Sequence, residues 1–202
     1  MSGESGENGR IAGVPDSTRN PFVRIAYASA RRMMGSVGDP IRIFAHHPKL
    51  MSGYGALEMA TDRSSLVPER IKHLAELRAA TLAGCEWCLD YASSIATAAN
   101  VSEEDMRALA DYRESDTFDE TEKLVLDYAT GISETPVDVS DELFAALRER
   151  FDEAQMVELT NVIALENYRA RFNWAFGLAG QGFSEGAYCV APLRDGEEDE
   201  EL

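Results

Sequence analysis

"PERIKHLAELRAATLAGCEWCLDYASSIATAAN", residues 68–100, decides the fold class. After Pro68, the apolar residues Ile71, Leu74, Leu77 and Ala80/Thr81 recur at helical spacing, and the run stops at Gly84. A second helix is predicted from Cys85 onward. It carries small residues along its length, which permit close approach to a neighbour. No strand-like alternation interrupts either segment.

The same reading extends outward in both directions. Asn20-Pro21 is an N-cap followed by proline at the first helical position, Asp39-Pro40 repeats the signal, and Pro48 opens a further run. Downstream, Ser102 with Asp105, Asp119 with Glu122, and Asp152 with Gln155 have capping-box spacing, and Ser140 opens "DELFAALRERF". The one β-like run, "TPVDVS", is too short to build a sheet. The prediction is an all-α bundle of about six to nine helices on short connections. A tail is expected at 1–19, one domain over 20–192, and an acidic tail at 193–202, where "GEEDEEL" is a like-charge run.

The chain has 202 residues, enough for one domain with a sizeable core. Its net charge is −17, which makes nucleic acid and anionic membrane surfaces poor partners. Lysine is confined to Lys49, Lys72 and Lys123. Such an acidic, lysine-poor surface resembles those of proteins from salt-loving microbes, where screening reduces self-repulsion. No apolar run is long enough to span a membrane. The polar N-terminal stretch has no apolar segment, so we expect no secretory signal and a cytoplasmic setting with thiols reduced at rest.

In that setting Cys85-x-x-Cys88 has three readings: a redox dithiol, half a zinc site, or two packed thiols. Zinc wants four ligands, and Cys189 stands alone near the C-terminus. Residues three apart share a helix face, and Gly84 places the pair at a predicted helix start. Unsatisfied N–H groups and the helix dipole there favour a thiolate. Attack on a peroxide would give a sulfenic acid, and the second thiol would condense with it to a disulfide, releasing water. Neither a metal nor an organic cofactor is expected. His46-His47 resembles a metal hook, but adjacent residues do not face together on a helix.

The stretch "ELRAATLAGCEWCLDYASSIATAANVSEEDMRAL" followed by "FDETEKLVLDYATGISETPVDVSDELFAALRERFDEAQMVELTNVIALENYRARFN" resembles the carboxymuconolactone decarboxylase-like family, and within it the AhpD-like alkylhydroperoxidases. The likeness runs from about Pro40 to Gly182. The resemblance implies an all-α fold, trimers or hexamers, and antioxidant activity. It implies that Cys88 attacks the peroxide, that Cys85 donates a proton and resolves, and that a lipoylated or thioredoxin-like dithiol protein reduces the disulfide. Members of the family usually carry a His four residues after the second Cys and a Glu twelve before the first; here those positions hold Ala92 and His73.

Three side chains are candidates to move the protons instead. His73 has a suitable unperturbed pKa for a base, Glu76 lies three residues on along the same helix side, and Tyr91 is roughly on the face of Cys88. Asp90, about 200° around the helix from Cys88, is expected as a cap or surface ion-pair residue. Trp87 is expected to cover the site or fill an oligomer interface. Arg169, Arg171 and Asn173 are read as a subunit interface, with binding of a substrate carboxylate as the alternative, and Cys189 as a packed tail residue or a mixed-disulfide partner if the tail folds back over the dithiol. Two rival functions remain open: a decarboxylase-like lyase that needs no dithiol, and a helical oligomer that senses oxidants or only packs its thiols.

Overall fold

The computed structural model describes residues 9–190, so the tail expected at 193–202 lies outside the described residues. Among the described residues there are nine α-helices, one 3₁₀ turn and no strand. The helices are α1 (Pro21–Met34), α2 (Asp39–Phe44), α3 (Pro48–Arg63), α4 (Glu69–Ala83), α5 (Glu86–Ile95), α6 (Glu103–Ala108), α7 (Glu120–Ser133), α8 (Asp141–Arg148) and α9 (Glu153–Phe176). The start signals act as their chemistry requires. Asn20 accepts from the N–H groups of Phe22 and Val23, and Ser102, Asp119 and Asp152 each close a capping box. Several segments fall short of their predicted length, among them "DELFAALRERF", whose helix stops at Arg148. The helix after Cys85 passes into 3₁₀ at Ala96–Ala99, and α6 stops at Ala108.

The centre of the bundle is α4, packed against α7, α9 and α5. Leu74, Ala75, Leu77, Ala79 and Ala80 are buried on different sides of it, so it is a core helix rather than a one-faced surface helix. A helix buried all round must pair its polar residues. Lys72 Nζ donates to Ser64 O at 2.7 Å and meets Glu69 and Glu158. Arg78 donates to Thr130 Oγ1 and Leu109 O and lies over the Tyr112 ring.

One apolar cluster surrounds Leu74, Leu77, Cys85, Cys88 and Leu126, and a second surrounds Val125, Leu147, Leu159 and Ile163. Each fully buried leucine in them stabilises the fold by roughly 1.5–3 kcal/mol. A third cluster, on α1 to α3, includes Val23, Tyr27 and Phe44. Residues 9–19, read from sequence as tail, are tied to it. Val14 N donates to Arg42 O, Tyr27 Oη donates to Val14 O at 2.7 Å, and Asp16 pairs with Arg31 and Arg42. Backbone groups of Val14 and the Asp16 carboxylate find partners 13 to 28 residues away, which leaves no periodic signal, and so the segment reads as tail.

Candidate active site

The site begins with a backbone reversal. Gly84 ends α4 in the left-handed region (φ 65°), which a residue without a Cβ adopts at little cost. Its N–H reaches Thr81 O, and that of Cys85 reaches Ala80 O at 3.1 Å, closing the end of α4. Cys85 is thereby the N-cap of α5, and its Sγ accepts the Cys88 N–H at 3.3 Å. The two cysteines are joined as a disulfide with their Cα atoms 5.3 Å apart. Both are buried.

One side chain reaches both sulfurs. Asn173, near the end of α9, aims Nδ2 at Cys85 Sγ and at Cys88 Sγ, 3.5 Å from each. It is 2% exposed, so the interface reading of Asn173 is corrected: it faces the dithiol inside the chain. A sequence clue existed, since Glu166, Arg169 and Asn173 fall at i, i+3 and i+7 on one face of an otherwise apolar helix.

The three proton-relay candidates do not converge on the sulfurs. His73 is buried, with Nε2 3.0 Å from Ala92 O and Nδ1 3.8 Å from Glu76 Oε2, an ion-pair distance rather than a hydrogen bond. The imidazole thus ties α4 to α5 at Ala92, the position where the family resemblance leads one to expect a histidine. Glu76 continues to Arg169 Nη1 at 3.2 Å. Tyr91 stacks on Trp87 and meets the edge of Phe183, with ring centroids 5.7 and 5.4 Å apart, and burial raises its phenol pKa.

Arg169 anchors a cluster of acids. It holds Glu58 with two hydrogen bonds, at 2.9 and 2.6 Å, and donates to Glu166 at 2.9 Å. Glu166 Oε1 is buried without a partner. Burial pushes the Glu166 carboxyl up to about 7; Arg169 opposes this, while Glu76 and Glu58 add repulsion. Glu76 is drawn the other way. Burial acts to raise it, but His73 and Arg169 outweigh that and hold it below its ordinary value. Arg169 pairs within its own chain, and Arg171 turns back to Asn167 at 2.5 Å.

The segment after α9 covers α5. Asp90 is buried rather than a surface ion-pair residue. Its carboxylate accepts the N–H groups of Gln181, Phe183 and Ser184 and the Ser184 hydroxyl, at 2.7–3.0 Å. Burial works to raise its pKa, but those donors win and hold it low. Trp87 Nε1 donates to Gln181 Oε1 at 2.6 Å, so this indole is covered by the chain's own segment. Val190 is buried beside the dithiol cluster, whereas Cys189, expected to pack, is exposed.

His46 and His47 have separate tasks: His46 meets Ala12 O, and His47 Nδ1 caps α3. Among the described residues no group of three His, Cys, Asp or Glu side chains is placed to hold a metal ion. No helix among them is long and apolar enough to cross a membrane.

The sequence model of the carboxymuconolactone decarboxylase family matches residues 48–131. The uncharacterized protein YnjA of Escherichia coli (strain K12) is 36% identical over 175 residues, covering 84% of this chain and 94% of that protein. A crystal structure of a protein of unknown function from Agrobacterium tumefaciens, put forward as an antioxidant defence protein AhpD, superposes with a TM-score of 0.61 at 28% identity. It covers 68% of this chain and 94% of that one. The debrominase Bmp8, in complex with 2,3,4-tribromopyrrole, superposes with a TM-score of 0.73 at 23% identity, over 84% of this chain and 90% of that one; this likeness is one of fold.

Proposed function

The chain belongs to the carboxymuconolactone decarboxylase family, and on that premise we propose that it is a dithiol peroxidase of the AhpD-like kind. The observation that carries this reading is the pair Cys85–Cys88: joined, buried at the first turn of α5, and contacted at both sulfurs by one amide. A pair that only packed would have no use for a donor aimed at each sulfur.

In the proposed cycle Cys85, as a thiolate, takes the proton of Cys88, and Cys88 Sγ attacks the terminal oxygen of a hydroperoxide. The O–O bond breaks, the alkoxide takes a proton from Cys85, and Cys88 becomes a sulfenic acid. Cys85 Sγ then attacks Cys88 Sγ, the sulfenic hydroxyl leaves with a proton as water, and the disulfide forms. The aromatic cluster of Trp87, Tyr91 and Phe183 on and beside α5 supports an organic hydroperoxide as substrate. A dithiol protein, lipoylated or thioredoxin-like, returns the pair to thiols, which a reducing cytoplasm would sustain. With Ala92 lacking a side chain that can carry a proton, His73 and Glu76 act by positioning α4 against α5.

The test is consumption of cumene hydroperoxide driven by dithiothreitol. Wild-type protein is expected to turn over and Cys88→Ser to lose activity. Turnover unchanged in Cys88→Ser would sink the assignment. Decarboxylation of 4-carboxymuconolactone surviving serine at both positions would move the protein to the lyase class.

A further inference from the structure

The two sulfurs are not equivalent in the fold. Cys85 sits outside the helix as its N-cap, with extended backbone (φ −81°, ψ 95°), and its Sγ lies over the open first turn of α5. It accepts two N–H groups, that of Cys88 at 3.3 Å and the Asn173 amide at 3.5 Å. Cys88 lies within the first turn and accepts the Asn173 amide alone among the described residues. An N–H aimed at sulfur contributes little while the sulfur is neutral and much more when it is an anion.

We propose that the first turn of α5, whose Cys88 N–H reaches Cys85 alone of the two sulfurs, makes Cys85 the sulfur that carries the negative charge, with Asn173 stabilising an anion at either sulfur, so that a dithiol reductant attacks Cys88 and expels Cys85. This rests on the redox reading above and concerns its reductive half. In the step, a thiolate of the reductant attacks Cys88 Sγ. The Cys85–Cys88 bond breaks, and its electron pair goes to Cys85 Sγ, held by the Cys88 N–H and the Asn173 amide. Cys88 is left in a mixed disulfide with the reductant. The reductant's second thiol gives its proton to Cys85 and attacks its own disulfide-bonded sulfur. It leaves as a cyclic or bridged disulfide, and Cys88 takes a proton from water. Two electrons pass from the reductant to the pair. The direction follows from the rule that the better-stabilised thiolate is the faster leaving group.

Asn173 is on this account a catalytic residue, since it touches both reacting atoms. Nearby charges do not reverse the bias. Asp90 turns its carboxylate to the backbone of 181–184. His73 turns to Ala92 O one turn beyond Cys88, and Glu76 turns to Arg169. Glu86, in the first turn of α5, is exposed, and Tyr91 is engaged with Trp87 and Phe183. From α9 the polar group presented to the sulfurs is the neutral amide of Asn173.

The experiment maps the mixed disulfide. Oxidised full-length protein is mixed briefly with glutathione, quenched with N-ethylmaleimide, and its peptides are sequenced by mass spectrometry. Glutathione is expected on Cys88 and maleimide on Cys85; the reverse pattern overturns the proposal. In parallel, iodoacetamide reactivity is followed against pH in the two single-cysteine proteins. Cys85, read in Cys88→Ser, is expected to hold roughly a tenfold larger thiolate fraction at neutral pH than Cys88 read in Cys85→Ser. Equal fractions, or the opposite order, also overturn it. Adding Asn173→Ala to Cys88→Ser should cut the Cys85 thiolate fraction about tenfold, as the loss of one hydrogen bond to a charged group does. No change removes Asn173 from the mechanism. Should Asn173→Ala fail to fold, the adduct map on the unaltered chain still decides. None of these readouts uses a peroxide, so a protein that leaves cumene hydroperoxide untouched but places glutathione on Cys88 loses the peroxidase reading and keeps this one.

Discussion

Asn173 and Glu166 lie two turns apart on the inward face of α9. Around Asn173 the fold buries two sulfurs and answers them with a neutral amide and a backbone N–H. Around Glu166 it gathers three carboxylates, Glu166 buried and Glu58 and Glu76 half-buried, and answers all three with one guanidinium, His73 facing Glu76 as well. The first arrangement leaves its reactive atoms without a fixed charge, so they can change charge during a redox cycle. The second carries more acid than base, and the excess shows as a Glu166 carboxyl pushed up to about 7 and an oxygen without a partner. One helix thus carries the dithiol's polar contact and a charge cluster side by side.

Removing the cation tests the second region hardest. Arg169→Leu leaves Glu58, Glu76 and Glu166 facing one another and is expected to cost about 3–5 kcal/mol near neutral pH, read as a lower denaturation midpoint. A loss below about 1 kcal/mol would show that the cluster is more solvated than its burial implies.

Glu166→Gln should act in the opposite direction. The folded value of about 7 stands above the ordinary 4.5. The folded chain therefore holds this proton more tightly than the unfolded one, and stability falls as pH rises from about 4.5 through 7. The penalty is on the order of 3 kcal/mol once Glu166 is ionised. Glu166→Gln is expected to be more stable than the parent at pH 8, equal to it at pH 4, and flat in between. A parent protein whose stability does not fall over that range would remove the distinction between the Asn173 and Glu166 regions of α9.

The cover over the dithiol is a smaller lever. Asp90→Ala frees the donors of residues 181–184 and is expected to cost about 2 kcal/mol, with residues 178–190 becoming cleavable by chymotrypsin after Phe183 and Tyr188. The Asp90 carboxyl is held below its ordinary 3.8, so its contribution is present above that value and is lost as pH falls further. An unchanged cleavage pattern would mean that Val190 and the aromatic cluster hold the segment without it. The smallest effect is expected at the corner. Gly84→Ala forces a side chain into the left-handed region and should cost about 1 kcal/mol. If Gly84 positions Cys85 as described, peroxide turnover should drop by more than the loss of folded protein explains.

The bundle was legible because capping side chains and helical periodicity are local. Asn20, Ser102, Asp119 and Asp152 stop or start helices through bonds to residues two or three away. The dithiol was legible for the same reason, since Gly84 and the x-x spacing place both sulfurs at one helix start without help from elsewhere. Other positions misled. Ala92 and His73 sit where a family pattern wants His and Glu, and the sequence alone invited a rebuilt relay; in the fold His73 hydrogen-bonds the backbone of Ala92 and leaves the sulfurs to Asn173. Asp90 was placed at the surface by its angle from Cys88, because nothing local indicates that residues 181–184 return over α5.

By itself, the sequence determined the helical class, the helix starts and the position of the two cysteines at the first turn of α5. Each of these depends on contacts spanning four residues or fewer. The tertiary structure alone decided what touches the sulfurs, which carboxylates share Arg169, and what covers Trp87. Those partners lie 85 to 94 residues away for the dithiol and its cover, and 93 and 111 residues away for Glu76 and Glu58. At such separations the burial of α4 and α9 against one another, rather than any local spacing, determines which polar groups meet.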